Sequence, residues 1–330
     1  MLDVTVVLLN DNYASTALVP VEVFHSAGLL WNTLKGERAD PRFRVTVASV
    51  DGKSVRSPYG IRLSSEASIA DIHHSDLVIV SASGLDLDAQ FARHATLLPW
   101  LRECHDQGAF VAGICSGAAY LAEAGLLDGR QATTHWAVAD ALARRYAKVH
   151  WRPELFITED QRVLCSGGVY AAIDLSLYLV DKFCDREVAL QCAKALLVDM
   201  PRTYQSGYAV LPLSRPHSDE RIRNVETHMQ QHFASDLPVE RLAQRVNLSS
   251  RTFVRRFKAA TGRQPGNYLQ MLRITIARDM LEDGTRSVQA VSSAVGYDDI
   301  AFFRALFKRF TGMTPAEYRA RFSRGRSRVL

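Results

Sequence analysis

An internal repeat near the C-terminal end is the feature that most constrains this sequence. The stretch from Ser249 to Tyr268 recurs about fifty positions later, between Ala301 and Tyr318. Seven residues keep their identity and spacing, namely Phe253, Phe257, Lys258, Thr261, Gly262, Pro265 and Tyr268, which recur as Phe303, Phe307, Lys308, Thr311, Gly312, Pro315 and Tyr318. Two copies of one supersecondary unit imply two copies of one surface. The chain is therefore expected to present that surface twice.

The first copy has the pattern of two short helices separated by a turn. Apolar residues recur at helical spacing over residues 239–246, and Ser249 is placed to cap a second helix. Phe253 and Phe257 lie four residues apart and share the face that this second helix buries. Its arginines, Arg251, Arg255 and Arg256, fall off that face. The pattern predicts a helix-turn-helix unit whose basic second helix fits a DNA major groove.

The second copy repeats this plan. Valines at helical spacing over residues 288–295 predict its first helix, residues 296–299 its turn, and residues 301–310 its second helix. Between the copies, residues 265–281 predict one long amphipathic helix that ends at Asp283-Gly284. Such a connector would set the two units on successive major-groove segments of one DNA face, about one turn or ~34 Å apart.

Charge is distributed unevenly along the chain. Residues 219–330 hold 20 Lys and Arg against 11 Asp and Glu, a net charge of +9, whereas residues 1–218 hold 20 against 24, a net charge of −4. A basic face is often only a solvated surface, but here the net positive charge is confined to the one domain that holds the duplicated units. We therefore expect the C-terminal part alone to meet a polyanion.

The first two hundred residues alternate short apolar runs with helical patterns. The predicted strands are Val4–Leu9, Phe43–Val47, Leu77–Val80, Phe110–Gly113 and Leu155–Thr158. The predicted helices are Val19–Leu30, Thr96–Asp106, Ser116–Ala124, Trp136–Tyr146 and Ala171–Phe183. This alternation predicts an α/β domain with a flavodoxin-like parallel sheet sandwiched by helices, followed by an all-α domain with two helix-turn-helix units. Ligand sites in such sheets lie at the carboxyl ends of the strands.

At 330 residues, the chain is long enough for two domains with separate cores. The helical and strand patterns lapse over residues 201–218, which contain prolines, serines and a glycine and are expected to form a linker. We predict a ligand-sensing domain over residues 1–200, a DNA-binding domain over residues 219–322 and a basic tail over residues 323–330.

Five cysteines without a C-x-x-C pair argue against a disulfide framework or a zinc site and indicate a reducing compartment. The N-terminus lacks the basic start of a signal peptide, and no apolar segment is long enough to span a bilayer. The histidines have no metal-site spacing. We expect a cytoplasmic protein with no membrane contact, no metal and no cofactor.

Cys115 follows an apolar strand and precedes a helix in the pattern Gly113-x-Cys115-x-Gly117. This is the pattern of a nucleophile elbow with cysteine in place of serine. A thiol at a helix N-terminus feels a positive dipole, so we expect a lowered thiol pKa. A small, inert side chain filling a tight turn is the alternative, and His135, in a loop beside Trp136, could equally be a core histidine.

Across about one hundred residues, the C-terminal part resembles the AraC/XylS transcription regulators. The resemblance includes both repeats and the central Ala277-Arg-x-Met-Leu helix. It implies that base edges are contacted by Arg251, Val254 and Arg255 in the first copy and by Ile300, Ala301 and Arg304 in the second. Lys258 and Lys308 are expected to contact phosphates. Ser292 stands where the family usually has alanine and is small enough to keep the helices close.

Residues 3–195 resemble the ThiJ/PfpI superfamily, relatives of class I glutamine amidotransferases. Residues 124–136 and 166–180 look specifically like the GlxA-type regulators, which join such a domain to an AraC-type domain. In enzymes of the superfamily, Cys115 would be the nucleophile, His135 its base or orienting partner and Glu22 the acid that hydrogen-bonds the thiolate. The oxyanion motif P-G-G is replaced by Ala82-Ser83-Gly84, which retains one glycine.

These observations predict a DNA-binding transcription regulator controlled by a small metabolite. The resemblance further implies an activator, often of a catabolic operon for an amino acid, a quaternary amine or a similar nitrogen compound. The predicted metabolite contacts are Glu22, Gly84, Cys115, Ser116 and His135. Promoter DNA, RNA polymerase and a second copy bound through the N-terminal domain are the expected macromolecular partners. The alternatives are a cysteine hydrolase or hydratase tethered to DNA, and a redox sensor based on Cys115.

Overall fold

The computed structural model describes residues 1–209, 213–214 and 217–323. The chain divides into two compact units, Met1–Gln205 and Ser206–Leu330. Most of the predicted basic tail, residues 324–330, lies outside the described residues. Within the described residues, no helix combines the length and the apolar character that a membrane span requires.

The N-terminal unit is built on a seven-stranded sheet. The strands of this unit are β1 (Leu2–Leu8), β2 (Phe43–Ser49), β3 (Val55–Arg56), β4 (Arg62–Leu63), β5 (Ala67–Ser68), β6 (Leu77–Val80), β7 (Phe110–Ile114), β8 (Gln131–Ala132), β9 (His150–Trp151), β10 (Ile157–Asp160) and β11 (Val163–Ser166). The main sheet has the order β10-β11-β7-β6-β1-β2-β5, and every neighbouring pair is parallel except β10 with β11. This confirms the predicted parallel α/β fold.

Helices cover both faces of this sheet. They are α1 (Ser15–Ser26), α2 (Leu30–Lys35), α3 (Leu87–Arg93), α4 (Leu97–Asp106), α5 (Gly117–Glu123), α6 (Trp136–Arg145), α7 (Ala171–Phe183) and α8 (Arg186–Leu196). One core contains residues of α1, α7 and α8, and the other contains residues of α3, α4, α5 and α6. Because both faces are covered, a central strand such as β6 is apolar and buried at all four positions.

Two predicted elements of this unit differ from the structure. The last predicted strand, Leu155–Thr158, corresponds to β10, which begins at Ile157 and is the antiparallel edge strand. The parallel neighbour of β7 is β11, which the sequence analysis missed. With only four residues, β11 is too short to give a clear pattern. Helix α1 begins at Ser15 rather than Val19, so Pro20, a residue favoured in a first turn, lies inside it.

The boundary between the two units falls within the segment predicted as a linker. In the N-terminal unit, the Arg202 guanidinium forms an ion pair with the buried Asp174 carboxylate at 2.6 Å. Gln205 is also buried. In the C-terminal unit, the backbone carbonyls of Gly207 and Ala209 accept hydrogen bonds from Arg278. Residues 202–209 therefore make specific contacts within the unit to which each belongs.

The described part of the C-terminal unit is helical, as predicted. Its helices are α9 (Glu220–Gln231), α10 (Val239–Arg245), α11 (Ser250–Thr261), α12 (Pro265–Asp283), α13 (Val288–Ala294), α14 (Ile300–Thr311) and α15 (Pro315–Phe322). Helices α10 and α11 form the first helix-turn-helix unit, and α13 and α14 form the second. Ser249 and Asp299, at equivalent positions, cap the two second helices by accepting backbone N–H bonds.

The two copies also have equivalent cores. Phe257 packs between Phe253 and Tyr268, with ring centroids at 5.5 and 5.4 Å. Their counterparts Phe303, Phe307 and Tyr318 repeat this arrangement at 5.8 and 5.4 Å. All six rings are at most 1% exposed. The repeated aromatic residues are therefore structural, which leaves the polar faces of α11 and α14 for function.

Candidate functional site

The strand, turn and helix predicted around Cys115 are present. Strand β7 ends at Ile114, helix α5 begins at Gly117, and Cys115 lies between them with a φ of +56°. A non-glycine residue in this left-handed region is strained, and such strain is often found at functional sites. The turn needs a glycine at position 117, because a Cβ atom there would lie 2.4 Å from the Val80 carbonyl oxygen.

A cavity of about 480 Å³ opens beside this turn, where the carboxyl ends of β1, β6 and β7 meet. The residues that line it are Asp11, Tyr13, Pro58, Ala82, Ser83, Gly84, Leu85, Cys115, Ser116, His135, Ala137, Val138 and Val169. Most of the lining is apolar, with a few polar groups. That composition and size suit a small organic ligand.

The Cys115 thiol is partly buried, and this burial raises its pKa to about 11. Hydrogen bonds from the backbone N–H groups of Ser116 and His135 favour the thiolate but do not offset the burial. The lowered pKa expected from the sequence is therefore wrong. Helix α5 has only seven residues, so its dipole lowers the thiol pKa by less than desolvation raises it. At neutral pH, Cys115 is a protonated thiol.

This protonation state predicts how Cys115 reacts with alkylating reagents. Because only the thiolate reacts, its alkylation rate with iodoacetamide should rise about tenfold per pH unit from pH 7 to pH 10, since the thiolate fraction does so below the pKa. Mass spectrometry of the Cys115 peptide measures the rate, with Cys115→Ser as the labelling control for the other cysteines. A rate that levels off below pH 8 would contradict the raised pKa.

The His135 imidazole lines the cavity and also caps a helix. Its Nδ1 accepts the backbone N–H of Ala137 at 3.1 Å and so caps helix α6. Burial lowers its pKa, so the neutral ring is favoured, with its proton on Nε2. Since the acceptor nitrogen is already occupied, the ring is poorly placed to take a proton from Cys115.

Ser116 links the Cys115 turn to the loop after β6. Its Oγ accepts the Ser83 backbone N–H at 2.9 Å and donates to the Ser83 carbonyl at 2.9 Å. The Ser83 N–H, in the motif that replaces P-G-G, is therefore not free to stabilise an oxyanion. Gly84 also lines the cavity, and a Cβ atom there would lie 3.0 Å from Gln90 Nε2 and 3.2 Å from Asp11 Cβ.

Glu22 does not lie in the cavity. It is exposed on α1 and is absent from the described residues that line the cavity. Because α1 begins at Ser15, Glu22 lies two turns along the helix and away from the end of β1. The acid that lines the cavity is Asp11, which the sequence analysis missed; it pairs with Arg93 at 3.2 Å and accepts a hydrogen bond from Gln90 at 2.8 Å. Its position just after β1 was the available signal.

One further group of potential metal ligands lies away from this cavity. Ligand atoms of Asp3, His74 and Asp76 all lie within 4.8 Å of one another. Asp3 forms an ion pair with Arg44 at 3.1 Å, and Asp76 accepts the backbone N–H of Asp3 at 2.8 Å. These partners account for both carboxylates, so the cluster gives no ground for proposing a metal site.

The predicted DNA-contacting side chains lie mainly on the outer faces of α11 and α14. On α11, Arg251, Arg255 and Lys258 are exposed at helical spacing, and Val254 is partly buried among them. On α14, Ala301, Arg304 and Lys308 are exposed and Ile300 is partly buried. Each helix therefore presents to solvent a short row of side chains that includes basic residues. We call this row the outer row of the helix.

The two rows are not equivalent. Helices α11 and α14 begin fifty residues apart, so Arg304 corresponds to Val254, and Arg255 corresponds to Ala305. Arg256 does not belong to the outer row, because its guanidinium binds the Asp219 carboxylate, which also caps α9. Among the described residues, the row of the first helix thus carries two exposed arginines, Arg251 and Arg255, and that of the second carries one, Arg304.

A guanidinium of helix α12 binds both the segment after α9 and the turn of the second helix-turn-helix unit. Arg273 donates to the carbonyls of Phe233 at 2.7 Å and Ser235 at 2.9 Å, after α9, and to the carbonyl of Gly296 at 3.1 Å, in the second turn. Ser292, at the predicted close packing position, is fully buried and donates to the Tyr297 carbonyl at 2.8 Å. These bonds hold the second turn against the connecting helix.

Comparison with known proteins supports both halves of this description. Residues 4–182 match the DJ-1/PfpI family, and residues 242–321 match a helix-turn-helix domain. The HTH-type transcriptional regulator CdhR of Pseudomonas aeruginosa is 30% identical over 84% of this chain and 82% of its own. The HTH-type transcriptional regulator GlxA of Rhizobium meliloti is 26% identical over 85% of this chain and 86% of its own.

Solved structures give the same result for the N-terminal fold. An AraC family transcriptional regulator from Pseudomonas putida has a TM-score of 0.51 and 26% identity, covering 59% of this chain and 100% of that one. Drosophila melanogaster DJ-1beta has a TM-score of 0.51 and 20% identity, covering 60% of this chain and 98% of that one, which shows the shared fold alone. The chain therefore belongs to the HTH-type transcriptional regulators that join a DJ-1/PfpI domain to an AraC-type helix-turn-helix domain, and it is a DNA-binding regulator.

Proposed function

We propose that this regulator is controlled by a small metabolite that binds in the cavity beside Cys115. The observation that carries the proposal is the cavity itself, which lies at the carboxyl ends of the central strands and is large enough for a small organic molecule. Its lining offers the Asp11 carboxylate, the Cys115 thiol and the His135 ring among apolar side chains. Gly84 and Ser116 shape its wall, whereas Glu22 is not included.

We propose binding rather than turnover at this site. A cysteine hydrolase needs a thiolate, an available base and free oxyanion donors. Here burial keeps Cys115 protonated, the His135 acceptor nitrogen caps α6, and the Ser83 N–H is bonded to Ser116. The same protonated thiol argues against a fast redox sensor, because oxidation also requires the thiolate.

For the DNA-binding part, we propose that α11 and α14 each enter a major groove. Arg251 and Arg255 would read guanines through O6 and N7, with Val254 between them, while Lys258 and Lys308 would contact phosphates. On α14, Arg304 would be the strong base contact, with Ile300 and Ala301 limited to thymine methyl groups. We further propose a homodimer formed through the N-terminal unit, and activation of a catabolic operon by contact with RNA polymerase.

Ligand binding can be tested by thermal unfolding of the full chain in the presence of single amino acids and quaternary amines. All four tryptophans, Trp31, Trp100, Trp136 and Trp151, lie in the N-terminal unit, so tryptophan fluorescence follows the unfolding of the proposed sensor. At a hundred times its Kd, a true ligand should stabilise that transition by ~2.7 kcal/mol.

The matched control for this test is Ala137→Trp. Ala137 is exposed at the cavity wall, so an indole there should occupy the cavity without disturbing the core. The stabilising compound should lose its effect on this variant. A compound that stabilises both proteins equally binds elsewhere, and that result would contradict the proposed site.

A further inference from the structure

We propose that residues 205–209 form a coupling segment that links the cavity to the second helix-turn-helix unit, and that Gln205 and Arg278 are its two positioning residues. The inference rests on the proposed function, since it concerns how a ligand signal leaves the cavity. It depends on contacts made separately within each unit.

The first anchor is the side chain of Gln205, which is 2% exposed. Its Nε2, which has two N–H donors, lies within hydrogen-bond distance of the Thr134 carbonyl at 2.8 Å, the Leu155 carbonyl at 3.0 Å and Thr133 Oγ1 at 3.2 Å. A Cβ atom on Gly167 would lie 2.7 Å from Gln205 Oε1, so the amide is packed tightly at both ends. A side chain in a flexible linker is not expected to be buried and hydrogen-bonded in this way, so Gln205 is a fixed point of the N-terminal unit.

This anchor contacts the residues that support the cavity wall. Thr134 accepts from Gln205 through its carbonyl, and its own Oγ1 donates to the Cys115 carbonyl at 2.8 Å. The next residue, His135, lines the cavity together with Cys115. A ligand that displaces Cys115 or His135 therefore shifts the peptide that holds Gln205.

The second anchor is Arg278, on the helix that connects the two repeated units. Its guanidinium donates to the Ala209 carbonyl at 2.6 Å and to the Gly207 carbonyl at 3.2 Å. Gly207 also packs closely, because a Cβ atom there would lie 2.8 Å from Met313 Cε and 3.1 Å from the Thr311 carbonyl. Residues 207–209 are thus held against α12 and the end of α14.

Arg278 also contacts a core residue of the second unit. Its Nε donates to the Tyr318 hydroxyl at 2.9 Å, and the Tyr318 ring packs on Phe307 of α14 at 5.4 Å. In the first copy, the equivalent Tyr268 hydroxyl accepts instead from Gln230 at 3.3 Å. The two repeated units thus differ in what binds this tyrosine. Among the described residues, Arg278, which binds residues 207–209, also binds Tyr318 of the second unit but not Tyr268 of the first.

The two anchors lie very close together in the sequence. Gln205 belongs to the N-terminal unit and Gly207 to the C-terminal unit, so one residue, Ser206, separates the two anchored positions. Because the intervening segment is this short, little chain is available to absorb a displacement at Gln205 before the residues held by Arg278. Two sites coupled in this way change each other's affinity.

A double-mutant cycle on the full chain tests this inference, with Ala137→Trp as the cavity probe. The measured quantity is the Kd for an operator fragment. In the otherwise unchanged chain, filling the cavity should change this Kd about fivefold or more, in either direction. In a Gln205→Ala background, the same substitution should change it less than about twofold, because the coupling is lost. Gln231→Ala, an exposed glutamine at the end of α9, is the matched control and should leave the full effect.

Arg278→Lys provides a second, independent test. A lysine keeps the positive charge, but one ammonium group cannot hold both carbonyls and Tyr318 in the geometry of the guanidinium. It should suppress the effect of Ala137→Trp as Gln205→Ala does. If Gln205→Ala does not fold, Gln205→Asn, which withdraws the amide by one methylene, replaces it.

The outcomes separate this inference from the proposed function. An effect of Ala137→Trp that persists unchanged with Gln205→Ala and Arg278→Lys would overturn the coupling segment and leave the proposed cavity control intact. An operator Kd that does not respond to Ala137→Trp in the otherwise unchanged chain would overturn both. Suppression by both variants and not by Gln231→Ala supports the coupling segment.

Discussion

Replacing Phe257 with alanine should destabilise the C-terminal unit by ~3–5 kcal/mol and abolish operator binding. Phe257 is 0% exposed and packs between Phe253 and Tyr268, so the truncated side chain leaves a cavity that its neighbours cannot fill. Phe307→Ala should cost a similar amount, because its ring packs in the same way between Phe303 and Tyr318. A domain of this size is stable by only ~5–15 kcal/mol, so either loss is a large fraction of the total.

Circular dichroism and tryptophan fluorescence together measure this effect in the full chain. The C-terminal unit has no tryptophan, so the helical signal should show an early transition in denaturant while the fluorescence transition of the N-terminal unit stays in place. Phe302→Ala is the matched control, because Phe302 is 49% exposed on the same helix as Phe307. Equal losses of stability from Phe302→Ala and Phe307→Ala would show that the repeated aromatic core is not what stabilises the unit.

The repeated core was predictable from sequence because its determinants are local. Helical spacing places Phe253 and Phe257 on one face, Ser249 is a favoured cap, and the second copy repeats both signals. Both aromatic pairs are buried as expected, and both helix-turn-helix units are present. The alternation of strands and helices likewise indicated the parallel sheet, since central strands such as β6 and β7 are continuous apolar runs.

The cavity was less predictable, because its chemistry depends on residues distant in sequence. The pattern around Cys115 predicted the turn, but the thiol pKa is set by burial among other elements, and that burial raises it. The roles of Ser116 and His135 follow from hydrogen bonds that only the folded chain reveals. The predicted start of α1, Val19, was one helical turn too late. Glu22 therefore lies further along the helix than expected, where its side chain is exposed to solvent.

Asp11 and Gln205 were missed for a related reason. Asp11 follows the first predicted strand, Val4–Leu9, and residues just after a parallel strand often line the ligand site. Gln205 lies in a stretch with the composition of a linker, and composition does not show that an amide is buried. Residues of this kind can be found only when the contacts of the folded chain are known.

Arg255→Ala should weaken operator binding and relax discrimination at one base pair by ~1–3 kcal/mol. Arg255 is exposed in the outer row of α11, and a guanidinium there can bind guanine O6 and N7 together. In the second helix, Ala305 stands at the position equivalent to Arg255 and Arg304 at the position equivalent to Val254, so this helix has no arginine at the matching position. The loss should therefore appear at a base pair contacted by the first unit only.

Arg256→Ala is the matched control for this prediction. Arg256 is the next residue of the same helix, but it binds Asp219, and so its removal should leave the preference at every base pair unchanged. Quantitative binding to operators randomised one position at a time distinguishes the two variants. If Arg255→Ala weakens all sequences equally and keeps its base preference, Arg255 contacts phosphate rather than a base, and the proposed guanine contact of Arg255 fails.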